Sequence, residues 1–322
     1  MANVDMSVTL EVAPQVSAGS PKRKHLVQPI LSFCSTCMNR EDQLKATLLR
    51  NLEVIAKYQG QVELVLVNFI RDDIGERIHQ WVTGVVEPRV GFKYYTCAEL
   101  HNWHASVAKN TAYKQASGDF IVNLDCDNYL CETIIEKLLS YERSERENIV
   151  FSGFSGGLTV KKIKKKPKWK ATLQDFIYFL RQPEKIHPHR KPKWTRYTIV
   201  SLRDESGKDF NGTYGHVGMS KKAFFQIGGY DQSFPPMGGQ DKDLIWRAYN
   251  LEGAELLHIP VPEDCWPEPN DKLESLRLTS AGSKEWADLS RQATSLAREK
   301  ILQRNYVANK NAYIGLNVTR VF

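Results

Sequence analysis

The chain has 322 residues, a formal net charge of +7 at pH 7, 42% hydrophobic residues and 25% charged residues. This composition supports a sizeable core and excludes global disorder, and the length suits one large α/β domain with an appendage, or two small domains. No apolar run reaches the ~18 residues of a membrane span, and residues 1–20 lack the charged start and apolar block of an export signal, so a cytoplasmic location is expected.

Residues 1–27 are polar, with Pro14, Gly19 and Lys22-Arg23-Lys24, and are expected to be a disordered tail. Ile30 to Phe33 is an apolar run, the first expected strand, followed by a polar loop from Thr36 to Arg40. Glu41 to Tyr58 places Leu44, Leu48, Leu52 and Ile55 at helical spacing. Val62 to Val67 is almost continuously aliphatic, which suits a parallel strand buried on both faces. A short helix is expected over 74–85, a strand over 90–96 and a helix over 102–115. Phe120 to Leu124, led by Gly118, is the next buried strand. Helix 129–141 and strand 149–154 follow. Strand–helix alternation repeated in this way predicts a parallel, doubly wound sheet. The six cysteines follow no framework spacing and are expected as free thiols in a reducing compartment. Cys34-Ser35-Thr36-Cys37 is a CxxC with neither a second CxxC nor a nearby histidine to complete a zinc or redox site.

Asp125 and Asp127 close the strand that starts at Phe120. Side chains at i and i+2 of a strand leave on the same side. Two carboxylates held together repel unless a cation sits between them, and a hard divalent cation takes oxygen ligands and substrate phosphates. The C-terminal edge of an open α/β sheet is also where such folds bind nucleotides. An isolated Asp-x-Asp is otherwise an ordinary solvated loop.

Residues 161–203 carry fourteen Lys or Arg against two acids, Asp175 and Glu184. Such a block is commonly a solvated or mobile surface. Nucleic-acid or anionic-membrane binding is the sharper reading. Because the block lies beside the acidic motif, attraction of an anionic substrate competes with it, and of the two binding partners membrane contact is kept and nucleic acid disfavoured. Further on, Gly228-Gly229-Tyr230-Asp231 and Gly238-Gly239-Gln240-Asp241 lie in a Gly/Pro-rich stretch leading into a helix. Asp241 falls near that helix N-terminus, where the dipole favours an ionised carboxylate. Leu256 to Val261, containing His258, is a last strand. Residues 272–307 read as helices, with Trp286, Leu289, Leu296 and Ile301 packing on the sheet.

Taken in order, Cys37-Met38-Asn39-Arg40, Val67-Asn68, Ala108-Lys109-Asn110, Gly118-Asp119, Leu124-Asp125-Cys126-Asp127-Asn128 and Gly228-Gly229-Tyr230-Asp231 with Gly239-Gln240-Asp241 resemble the motifs of GT-A glycosyltransferases of the inverting family-2 type, with a galactosyltransferase-like C-terminal half. The resemblance covers about residues 28–262. It implies a Rossmann-like, mostly parallel sheet flanked by helices; beyond it, residues 263–322 are expected from their own pattern to be a helical extension packed on the domain. It implies transfer of a sugar from a UDP-sugar or other nucleotide-sugar to a hydroxyl of a glycan, lipid-linked glycan or peptide. Mn2+ or Mg2+ is the implied cofactor, with Asp125, Asp127 and His258 as ligands. Asp241 takes the place of the general base, preceded by Gly239 and by Gln240 where relatives carry Glu. Thr36, Asn39, Arg40, Asn68, Asp72, Lys109 and Asp125 are the implied donor contacts. Two other classes compete: a binding module for nucleic acid or anionic membrane built on residues 161–203, and a degenerate transferase, against which the intact Asp125, Asp127 and Asp241 speak.

Overall fold

A computed structural model of the chain describes residues 29–58, 60–155, 202–203, 209–210, 215–251, 254–281, 286–310 and 314–322. An inner strand of its sheet is β2 (Val62–Phe69), in which all eight residues are buried, as expected of a strand covered on both faces. β2 pairs in parallel with β1 (Leu31–Cys37) and with β3 (Phe92–Cys97), and β1 pairs in parallel with β4 (Phe120–Asn123). The crossovers are α1 (Glu41–Ala56), α2 (Asp73–Val85) and α3 (Ala105–Lys114). Leu44, Leu48, Leu52 and Ile55 form the buried stripe of α1, as their spacing predicted. The chain moves outward from β1 to β3 and then returns past β1 to β4. That reversal opens a crevice at the C-terminal strand ends, where β1 presents Thr36 and the turn after β4 presents Asp125.

α4 (Glu132–Leu139), α5 (Arg143–Arg146) and β5 (Ile149–Ser155) follow. β6 (Leu202–Arg203) and β7 (Asp209–Phe210) form a separate two-stranded ribbon. β8 (Val217–Ser220) inserts antiparallel between β4 and β5, β9 (Glu255–Val261) runs parallel to β5, and β10 (Thr319–Arg320) adds antiparallel to β3. The sheet order is β10-β3-β2-β1-β4-β8-β5-β9. The architecture is therefore the expected α/β sheet, mostly parallel, but not wholly parallel. β8 is four residues long with a glycine inside, too short for a periodicity argument. A Cβ at Gly218 would stand 2.9 Å from the Phe120 and Val122 side chains, so a larger residue would crowd the β4 contact.

The remaining helices are α6 (Lys221–Gln226), α7 (Gln240–Tyr249), α8 (Lys272–Arg277) and α9 (Trp286–Leu302). α9 packs away from the sheet. Leu289 joins Met237 and Leu276, and Leu296 packs with Phe234, Ala293 and Ala297, while Trp286 stays 40% exposed. The extension is also not wholly helical, since its end supplies β10. Cys34 and Cys37 lie in β1 but face the two opposite core layers, which rules out a CxxC redox pair, and all six cysteines are buried free thiols. The expected tail 1–27, the basic segment as far as residue 201, Gly156-Gly157 and the Ile301 side chain lie outside the described residues. No described helix is long and apolar enough to cross a membrane.

Candidate active site

The acidic motif is a turn, not a continuing strand. β4 ends at Asn123, Leu124 N still donates to Cys34 O (2.9 Å), and Asn128 N closes onto Asp125 O (2.9 Å). α1 braces this turn with two polar side chains on its buried face. Thr47 Oγ1 donates to Cys126 O (2.7 Å). Asn51 Nδ2 donates to Asn128 O (2.9 Å) and its Oδ1 accepts from Leu130 N (2.7 Å). These bonds hold residues 129–131 extended, so the helix expected from Tyr129 begins only at Glu132. Sequence reading passed over Thr47 and Asn51, although two polar residues four apart inside the stripe of Leu44, Leu48 and Leu52 were the available signal.

Asp125 Oδ1 accepts from Asn123 Nδ2 (2.8 Å), which also donates to Gly215 O (2.6 Å). Gly215 has φ +70°, and a Cβ there would stand 2.8 Å from Asp125 Oδ2, so this approach needs glycine for both reasons. Asp127 is held from the other side by residues after β9. Glu268 N donates to Asp127 O (2.7 Å), and the Asn270 amide donates to Asp127 Oδ2.

Asp241 lies in the first turn of α7, after two left-handed glycines, Gly238 (φ 88°) and Gly239 (φ 78°). Asp241 Oδ1 accepts from Lys109 Nζ (3.0 Å) and Tyr230 Oη (3.2 Å). The same ammonium is 3.4 Å from Asp125 Oδ1. Burial alone would depress the Lys109 pKa, but the carboxylates of Asp125 and Asp241 outweigh it and raise the pKa above the usual lysine range. The next residue on α3, Asn110, fixes Tyr230 through both backbone groups, donating to its carbonyl and accepting from its N–H, each at 2.8 Å. Behind Asp241, Asp243 pairs with buried Arg247 (2.7 Å), whose guanidinium also donates to Ile227 O (2.9 Å) and Gly229 O (2.7 Å). One ion pair thus ties α7 to the Gly228-Gly229 turn.

Thr36, Arg40, Lys109, Asp125, Asp127, Gly239, Gln240 and Asp241 all line one cavity of about 410 Å³. Arg40 reaches it while bonded to α8, at 3.0 Å from Glu274 Oε2 and 3.1 Å from Asp271 O. Gln240 is nearly buried and donates to Pro235 O (3.1 Å). Four expected residues do not line this cavity. Asn68 is fully buried in β2, donating to Gly75 O (3.0 Å) and Tyr94 Oη (3.3 Å). Asp72 caps α2 and accepts from Asn39 (2.7 Å), so these two hold each other. His258 sits inside β9 opposite Ser152, and β9 is three strands from β4, about 14 Å across the sheet. Asn270, not His258, is the residue brought to Asp127.

Two carboxylates on one cavity wall are the hard oxygen donors a divalent cation takes. Among the described residues no third His, Cys, Asp or Glu joins them. The fit is therefore to a cation that completes its shell with water and substrate oxygens, the usual arrangement for Mg2+-like ions at phosphates.

An α/β sheet with an acidic turn at its switch point, and a carboxylate opening a helix across the same cavity, defines a glycosyltransferase of the GT-A class. The profile of glycosyl transferase family 2 matches residues 32–203, more than half of the chain, and the chain belongs to that family. The match ends before the region of expected galactosyltransferase likeness. Comparison with curated proteins finds no match. Among solved structures, the chain is similar to the mannosyltransferase PcManGT from Pyrobaculum calidifontis in complex with GDP-Man and Mn2+, at 12% identity over 86% of this chain and 71% of that one, with a TM-score of 0.47. It is also similar to glucosyl-3-phosphoglycerate synthase from Mycobacterium tuberculosis in complex with Mn2+, UDP and phosphoglyceric acid (14%, 91% and 86%, 0.47), and to S. aureus TarS 1–349 (16%, 85% and 73%, 0.44).

Proposed function

We propose that this enzyme moves a sugar from a nucleotide-sugar, a UDP-sugar by its sequence resemblance, to an acceptor hydroxyl of a glycan, lipid-linked glycan or peptide, with inversion. The observation that carries this is the placing of Asp241 and the Asp125/Asp127 turn in one cavity, joined through Lys109. Asp125 and Asp127 would hold Mn2+ or Mg2+ against the donor diphosphate. Bound there, the cation supplies neutralisation of the leaving group's growing charge. Thr36 and Arg40 lie at the end of β1, where Arg40 would exchange Glu274 for phosphate oxygens. Asp241 removes the proton from the acceptor hydroxyl as it attacks. Tyr230 and Lys109 hold the Asp241 carboxylate through its Oδ1 and so orient it in the cavity. The catalytic unit spans residues 28–262, completed by residues 268–278 from the extension.

A thermal-shift screen of nucleotide-sugars with manganese and with chelator tests this reading, because a ligand that binds the folded state raises the melting temperature. A shift that needs both UDP-sugar and manganese is expected, with a β-linked product from an α-linked donor. Binding of UDP that is indifferent to chelator would remove the metal assignment, and retention of configuration would remove the single displacement.

A further inference from the structure

The donor reading leaves part of the cavity unused. Its lining includes Trp103, Met237, Leu278 and Trp286, and Lys242, the residue after the base. The Trp103 ring is braced edge-on by Phe69, with centroids 6.2 Å apart, while the Trp286 indole is 40% exposed. Aromatic faces beside a few polar groups are how a protein holds the apolar face of a sugar or polyol.

Lys242 differs from the other cations of this wall. Arg40 is paired with Glu274, and Lys109 with Asp125 and Asp241. Lys242 is half-buried and forms no ion pair with any described residue. Burial lowers its pKa, and no carboxylate offsets that effect. A neutral acceptor placed over this ammonium would strip its water and return no counter-charge, which is costly. An acceptor with an anionic group supplies the missing partner.

We propose that this side of the cavity is the acceptor subsite, and that Lys242 reads a phosphate or carboxylate carried by a carbohydrate or polyol acceptor lying against Trp103 and Trp286. The inference rests on the transferase reading, since adjacent Asp241 is the base that would receive the acceptor proton. The group Lys242 reads is one part of the acceptor, and the hydroxyl that attacks is another.

Binding is measured with the full chain in saturating UDP and manganese, following tryptophan fluorescence with three probes: glycerol 1-phosphate, glucuronate and glucose. At least one of the two anions is expected to saturate at a concentration about tenfold or more below glucose, the preferred one identifying phosphate or carboxylate. Lys242→Gln should weaken that anion by about ten- to a hundredfold, the scale of a charge-assisted hydrogen bond, and Lys242→Arg should restore most of it. UDP affinity, read in the same variants by calorimetry, reports on the donor half. Glucose binding as tightly as the anions, no saturable anion binding, or full anion affinity in Lys242→Gln would each overturn the subsite. Loss of UDP binding with anion discrimination intact would instead remove the donor assignment.

Discussion

The Lys109 ammonium lies 3.0 Å from Asp241 Oδ1 and also reaches Asp125, so one buried cation neutralises both the base and the acidic turn. A divalent cation at Asp125 competes with it. Lys109→Met should therefore bind Mn2+ more tightly, by about two- to fivefold, because Asp125 is partly exposed and such pairs are worth little. Transfer should still fall, because Asp241 loses the Lys109 ammonium that helps to orient it. Calorimetry with Mn2+ alone, beside turnover, checks both signs; weaker Mn2+ binding would show that Lys109 supports the cation site.

Asp241→Asn keeps the side-chain shape and removes the proton acceptor. UDP binding with manganese should persist, while transfer drops by about 10²–10⁴. A fully active variant would move the base elsewhere on the cavity wall.

Asp127→Ala should abolish manganese-stimulated donor hydrolysis. Asn270→Ala should weaken it less, since Asn270 only holds one oxygen of Asp127 in place. Manganese titrations of UDP binding in the two variants rank these effects. His258→Ala should leave them unchanged.

Removing Asp243 strands the fully buried Arg247 guanidinium with two carbonyls and no carboxylate. Asp243→Ala should cost about 3–5 kcal/mol, the usual penalty for breaking a buried pair. Adding Arg247→Met should recover part of that loss. Urea unfolding of the single and double variants measures it.

The Asp231 carboxylate, behind the same turn, is nearly buried. Burial pushes its pKa up, but Lys300 and the Ser233 hydroxyl and backbone N–H outweigh this and hold it below the usual carboxylate range. A lowered folded-state pKa means stability that is present above the unfolded value and lost as pH falls through the folded one. Asp231→Asn should thus be less stable than the parent at neutral pH and should converge with it in strong acid. Thermal unfolding across that range tests the sign.

The parallel strands were legible because burial on both faces leaves a continuous aliphatic run, as in Val62 to Val67, and α1 was legible because its stripe repeats every three to four residues. Asp125, Asp127 and Asp241 could be picked out because their motifs combine carboxylates with a strand end or a glycine turn. The sequence alone therefore determined the layer architecture, the family resemblance and the three candidate carboxylates. It could not show that Lys109 joins two of them, because 132 residues separate Lys109 from Asp241 and only the tertiary fold, which brings both to one cavity, closes that distance. Nor could it choose between His258 and Asn270. A histidine looks like a ligand in any sequence, but strand order carries it three strands away while the segment after β9 folds back onto Asp127. β8 escaped notice because four residues carry no periodicity, and its antiparallel place exists only through its neighbours β4 and β5. Short-range pattern fixes what each segment is; which side chains meet is decided by the order in which the strands pair.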